Sequence, residues 1–485
     1  MPDLGLNLFR DPWIPVVYAD GTRTEVGVRT ALADADRIAA LAAENPTVDI
    51  ALYRLLLAVA HRLAGPVDSR HWPALWESGL PLEDLEEIGR GRWELLPADG
   101  EPGFAQDPVQ RPEPAPVASL TALADRGAGA GFLWRMPPEL SLSEAARWLL
   151  WCHAWDTGGI RAAHERGIDR GVPVGPAAAL PHTRLVGTPL AQTLLLNLAP
   201  GPQGPAGQGW WERTTPVAGR RRGRTPEGMV DLLCWPARRI RLLPDADGLV
   251  RRVYITGGDD LRVPGDPAHG ADQCFQDAYR LVLPRSLEAT VPGLVAPAKS
   301  RTTPPSTPTV IDWFADRHHV LDRVQVETTT LATDRHRSVI YDIHDRTWTL
   351  PAAALVPGTA AHARLARVRD MVALADSAVR AAATATVPSR AARAKERVAD
   401  LVARARHEWS GDLAPELADL DTDAGMEQCR EALADVVARH VDRADRRLRS
   451  NPGRLAEGAP ALSKARALSH RLSQPGPAEP AEAAL

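Results

Sequence analysis

The sequence predicts an α+β protein: a mixed α/β N-terminal domain followed by a C-terminal four-helix bundle. Three observations predict it. Before about residue 355, short runs of alternating polarity are interleaved with apolar runs of helical period. After residue 356, Ala, Arg, Leu and Val recur at helical period in four long stretches, 360–383, 388–410, 426–449 and 460–473. Breakers separate those stretches at Pro388, Gly411–Pro415 and Asn451-Pro452-Gly453, a pattern that suits antiparallel helices with short connections.

In chain order, Trp13–Tyr18 and Thr22–Val28 read as two strands joined by the turn Ala19-Asp20-Gly21. Thr30 is placed to cap a helix over Leu32–Ala43. Residues 47–64 form a strongly apolar helix, with Leu52, Leu55, Leu56, Val59 and Leu63 on one face. A second, acid-rich helix is expected over 71–92. Residues 99–117 are a Pro-rich loop carrying Phe104-Ala105-Gln106, and 122–138 a Gly/Ala loop. Ser141 or Ser143 then caps a helix to His153. Residues 201–228 are irregular. Strands are expected at 238–243 and 249–256, a Pro/Ser/Thr linker or insertion at 285–309, and a strand–turn–strand over 324–350. This assigns 1–355 to the α/β domain, 356–474 to the bundle and 475–485 to a disordered Pro/Ala/Glu tail.

The 485 residues carry 44% hydrophobic and 24% charged side chains and a net charge of −4, so the chain is not an overt polyanion binder. Of its 57 basic residues only three are lysine (Lys299, Lys395, Lys464), a skew that fits a GC-rich genome and makes arginine abundance poor evidence for nucleic acid. Four scattered cysteines, at 152, 234, 274 and 429, suggest neither a zinc knuckle nor a disulfide framework. No signal peptide and no apolar run long enough to span a bilayer stand in the sequence, so a cytoplasmic setting without membrane contact is expected. Phosphate-loop, zinc-protease and nucleophile-elbow motifs are absent, and no cofactor or metal is called for. His344-Asp345 falls on an expected strand, without the further ligands a metal phosphohydrolase needs.

The most informative segment is WCHAWDTGGIRAAHERGIDRGVPVGPAAALPHTRLVGTPLAQTLLLNLAP, from Trp151 to Pro200. An apolar helix gives way to Asp156-Thr157-Gly158-Gly159, then to an Arg- and Gly-rich loop, then to a second apolar helix over Leu190–Leu198. Glycines permit close backbone approach, and Arg161, Arg166 and Arg170 add charge beside them. On its residues alone the plainer reading is a connector between two helices. Elsewhere, Arg220, Arg221, Arg222 and Arg224 form a cationic run, and Lys395 stands among basic residues of the bundle; both suit phosphate contact or a solvated face.

Together with Leu6-Asn7-Leu8-Phe9-Arg10-Asp11-Pro12-Trp13-Ile14-Pro15-Val16, DLLCWPARRIR at 231–241 and VQVETTTLATDRHRSVIYDIHDRTWTLP at 324–351, this segment resembles the large subunit of the type I-E CRISPR Cascade, the CasA family. The resemblance covers most of the chain and rests on four motifs in order. It implies a non-catalytic subunit that recognises the protospacer-adjacent motif (PAM) on double-stranded DNA, helps start strand separation and R-loop formation, and supports nuclease recruitment. Its implied partners are the CRISPR guide RNA, target duplex DNA, the Cascade backbone and small subunits, and a helicase-nuclease or other effector nuclease. It places DNA and PAM contacts on Gly158, Gly159, Arg161, Arg170 and Gly171. It places a strand-separating wedge on Thr333, Arg335, His336 and Arg337, where the family often carries an amide, so the wedge chemistry departs from the family. It places guide-RNA or subunit contacts on Arg126, Phe132, Trp134 and Arg135. Some relatives carry a zinc site whose ligands this sequence lacks. The PAM-reading residues that the family sets near 259–285 are not assignable in this compressed stretch. A protein-only assembly subunit and, less favoured, a metal-dependent nuclease remain the alternatives.

Overall fold

The computed structural model describes residues 5–65, 67, 70–98, 100–109, 113–123, 137–165, 167–178, 182–198, 206–224, 226–261, 321–333, 338–356, 358–391 and 394–474. These fall into two compact units. The first takes 5–261, 327–333 and 338–345; the second takes 321–326 and 346–474. The division passes through the two long strands Arg323–Thr333 and Ile340–Pro351, whereas the sequence set its boundary near residue 355.

The first unit is built around the helix Pro46–Ala64. Asn45 caps it, its side-chain oxygen accepting from the Thr47 and Val48 amides at 3.0 and 3.3 Å, and Pro46 takes the first position, where no amide hydrogen is needed. Nearly every residue from Thr47 to Ala64 is buried, so the helix is apolar on all sides and central rather than amphipathic. It packs against the helices Leu142–Trp155 and Met229–Leu233. Ser141 caps Leu142–Trp155 in a reciprocal box with Glu144, which settles the choice between the two serines. Tryptophans fill much of the rest: Trp93 stacks on Trp211 at 5.2 Å and on Phe104 at 5.0 Å.

The motifs that carry the family resemblance are largely structural. Asn7 turns the chain, its side-chain oxygen accepting from the Phe9 and Arg10 amides, while Asp11 accepts from the Asn7 amide and the Trp13 indole donates to the Leu8 carbonyl. Asn197 pins the strand His182–Val186 by bonding both the amide and the carbonyl of Leu185.

Several expected elements are redrawn. Ile14–Tyr18 pairs with Arg23–Val26 as expected, but also with a third strand, Ile38–Leu41, inside the expected helix Leu32–Ala43. Cross-strand pairing of Val16 with Leu41 outweighs helix propensity there, and the helix shortens to Val28–Ala33 with Gly27, not Thr30, at its cap. The acid-rich helix over 71–92 is two helices, His71–Ser78 and Leu85–Ile88, because Gly79 takes φ +83° and ends the first. The strands Arg238–Pro244 and Val250–Gly257 pair antiparallel. The short strands Arg221–Arg224 and Asp259–Leu261 pair parallel, inside stretches read as irregular or unassigned.

In the second unit the helices Ala360–Thr386, Ala394–Glu416, Asp423–Arg449 and Pro452–Ser473 form the expected four-helix bundle. The first packs against the other three. Two boundaries differ from the sequence reading. The second helix runs through Gly411 and Pro415, since a proline in the last turn forfeits only one hydrogen bond before the helix stops. The fourth begins at Pro452 and continues through Pro460, which is exposed like Ala456, so water reaches the carbonyl that Pro460 leaves unbonded. The linker at 285–309 and the tail at 475–485 lie outside the described residues.

Candidate nucleic-acid interface

The segment after Trp155 is a β-hairpin rather than an irregular loop. Gly159–Ala162 pairs antiparallel with Ile168–Val172, with Arg161 opposite Asp169 and Ala162 opposite Ile168. Between Gly159 and Arg161 the register shifts, so Arg170 and Gly171 together face Ile160. Gly171 sits at φ +66°, a left-handed geometry that glycine adopts without steric cost. Gly175 closes the segment against the preceding helix, where an added Cβ would collide with the Ala154 carbonyl oxygen. One face of the hairpin is wet: Ile160 and Ile168 are 62% and 58% exposed, two of the three exposed large hydrophobic residues among the described residues, and Arg170 is exposed beside them.

The other face is held by charge. Asp156, fully buried, accepts two bonds from Arg161 at 2.5 and 2.6 Å and one from Arg238 at 2.6 Å. Arg238, also fully buried, donates further to the Thr157 and Pro173 carbonyls, both at 2.9 Å, on either side of the hairpin's root. Arg220 forks onto Asp260 at 2.9 and 2.6 Å and donates to the Arg170 and Gly171 carbonyls at 3.1 and 3.0 Å. Asp259 takes Arg221, Arg224 and Arg239. Asp231 takes Arg224 and Arg213, and the Arg224 guanidinium lies 3.9 Å over the Trp235 ring. Burial pushes the Asp259 carboxyl up, but the Arg221, Arg239 and Arg224 guanidiniums outweigh it and hold the group below the usual carboxylate range. Such pairs add little net stability, yet removing one member leaves a buried charge at a cost of about 3–5 kcal/mol.

This geometry re-sorts the residues flagged by the sequence. Gly159, Arg161, Arg170 and Gly171 belong to the hairpin and Gly158 immediately precedes it, but Arg161 points back onto Asp156 and Arg170 shows no side-chain partner among the described residues. Of the cationic run, Arg220, Arg221 and Arg224 are engaged by carboxylates, which gives them a bracing role, and Arg222 is left exposed. Lys395 is exposed near the start of the helix Ala394–Glu416, in the other unit. Thr333 ends its strand half-buried, while Arg335, His336 and Arg337 lie outside the described residues, as do Arg126, Phe132, Trp134 and Arg135. Sequence reasoning missed the roles of Asp156, Arg238, Asp259 and Asp260 and the exposure of Ile160 and Ile168. The one available signal was that the arginine run 220–224 has a carboxylate pair, Asp259-Asp260, to match it.

Among the described residues no three His, Cys, Asp or Glu side chains come together as metal ligands. A cleft of about 40 Å³ beside the network, lined by Arg92, Gln106, Asp107, Trp210 and Arg213, has room for water rather than a cofactor. No helix among the described residues is long and apolar enough to cross a membrane.

Fold and site together define an α+β protein with a C-terminal helical bundle and a braced, glycine-rich hairpin of mixed apolar and cationic face. The family of CRISPR-associated protein Cse1 matches residues 7–448, and the chain belongs to it. It is similar to the CRISPR-associated protein CasA/Cse1 of Thermus thermophilus, with 33% identity over 273 residues, 53% of this chain and 52% of that relative, so the match spans about half the relative's length. Its fold is similar to that of Thermobifida fusca Cse1, with a TM-score of 0.73 at 24% identity over 96% of this chain and 98% of the other. A chain of a CRISPR RNA-guided surveillance complex shares the fold at a TM-score of 0.64 and 16% identity, over 96% of this chain and 99% of that one.

Proposed function

We propose that this chain is the non-catalytic large subunit of an RNA-guided surveillance complex, in which it reads a PAM on duplex DNA and helps start R-loop formation. Family membership supports the assembly, with guide RNA and the Cascade backbone and small subunits as partners. The observation that carries the DNA reading is the hairpin 159–172, whose glycine-rich backbone lies beside the exposed Arg170. In such a complex guide pairing reads the target sequence, and the protein has to read only the short motif beside it. Recruitment of a helicase-nuclease or another effector nuclease follows R-loop formation in this reading.

The exposed pair Ile160 and Ile168 favours a second reading, a subunit whose hairpin docks on protein. One experiment decides between them: capture of duplexes with a randomised PAM by purified complex, with and without this chain. PAM-selective capture only when the chain is present supports the DNA reader. A chain that joins the complex but alters neither selectivity nor R-loop yield is an assembly subunit.

A further inference from the structure

A hairpin with strands of four and five residues is marginal on its own, and a bulge leaves its carbonyls without ladder partners. Here two arginines supply what the ladder lacks. Arg238 anchors on Asp156 and bonds the carbonyls at the hairpin's two roots; Arg220 anchors on Asp260 and bonds the two carbonyls of the bulge. Each guanidinium spends at least three of its N–H groups on these partners, and their side chains are 0% and 6% exposed. Neither has a donor fork left for a phosphate. We propose that Arg238–Asp156 and Arg220–Asp260 are positioning pairs that hold the hairpin 159–172 preset for duplex DNA, leaving contact to its free face, Ile160, Ile168 and Arg170. The inference rests on the DNA reading above and sharpens it: ordering is completed during folding, so binding does not have to supply it.

The test has two arms. In the free full-length chain, Arg220→Ala speeds amide hydrogen exchange across 159–172 while the helix Pro46–Ala64 keeps its protection. In the assembled complex, Arg220→Ala and Asp260→Ala each weaken duplex binding about tenfold, the double variant is no worse than either, and the slope of log Kd against log salt stays constant. Arg170→Ala lowers that slope by roughly 0.9, one phosphate contact. A slope that drops for Arg220→Ala makes Arg220 a phosphate ligand and overturns the proposal, as does unchanged exchange in the hairpin. If Arg220→Ala fails to fold, Arg220→Lys, which keeps the charge but cannot fork, shows the same confined loss of protection or the claim falls. Exchange is read without DNA, so it judges the bracing separately from PAM capture by the wild-type complex, which judges the function.

Discussion

Asp259 shows at the residue scale how few side chains hold the site. Three guanidiniums meet its buried carboxylate, and one of them, Arg239, is itself buried and has, among the described residues, only Asp107 as a second anion, at 3.2 Å. Arg224 keeps Asp231 if Asp259 is lost, and Arg221 is half-exposed and can turn to water. The loss therefore falls mainly on Arg239, and Asp259→Asn should cost about 3 kcal/mol in urea unfolding at neutral pH. The sign of its pH dependence follows from the same partners. The folded pKa lies below the ordinary value of 3.8, so the unfolded chain takes up the proton first. The stabilisation is complete above pH 3.8 and is lost as pH falls through the folded value; the variant should have a flatter acid limb in that window. A wild-type and variant pair with parallel acid limbs would remove Asp259 from the account. Apart from the presence of the Asp259-Asp260 pair, none of these pairings was legible in the sequence, because Arg221 and Asp259 lie 38 positions apart and ion pairing has no period. The cations could be counted there but their partners could not, so a run that reads as phosphate-binding is in large part internally neutralised.

At the scale of elements, hydrophobic period carried most of what was legible. The helices Pro46–Ala64 and Leu142–Trp155, the strand pair Arg238–Pro244 and Val250–Gly257, and the bundle all announce themselves through apolar spacing and caps. What failed to show were short strands whose existence depends on a neighbour, such as Ile38–Leu41 beside Val16 and Tyr18. The hairpin 159–172 belongs to the same class: its glycines hid a ladder of only four or five residues per strand. Gly171 tests whether the ladder matters as drawn. At φ +66° its Cβ position meets nothing, so Gly171→Ala meets no steric clash and pays only for left-handed backbone, about 1–2 kcal/mol. That strain is local to the bulge whose carbonyls Arg220 binds. The expected outcome is an unchanged urea midpoint for the core but faster amide exchange in 159–172 and weaker PAM-selective capture. A variant that captures duplex as well as wild type would show that the bulge geometry is incidental.

For the whole molecule, the issue is where binding energy acts along the path from duplex to R-loop. Separating strands costs about 1.4 kcal/mol per stacked step, and little of that returns until guide pairing begins. A group that helps initial capture must touch the closed duplex; a group that helps opening must touch something present only after opening. The hairpin 159–172 is assigned to the first task. The segment between the strands Arg323–Thr333 and Ile340–Pro351 is our candidate for the second, through Arg335, His336 and Arg337, which lie outside the described residues. Two cations flanking an imidazole suit the phosphates and an unstacked base of separated strands, whereas a closed duplex offers them only its backbone. Arg337→Ala should therefore leave duplex capture within about twofold of wild type, since one phosphate contact is a small share of the total, and lower R-loop yield by roughly tenfold. Filter capture of uncut duplex and permanganate footprinting of the opened strand measure the two steps on the same complex. A pre-opened bubble beside the PAM should restore the variant, because the cost Arg337 offsets is then already met. Equal losses in capture and opening, or no rescue by the bubble, would assign Arg337 to general phosphate attraction and leave strand separation to another part of the complex.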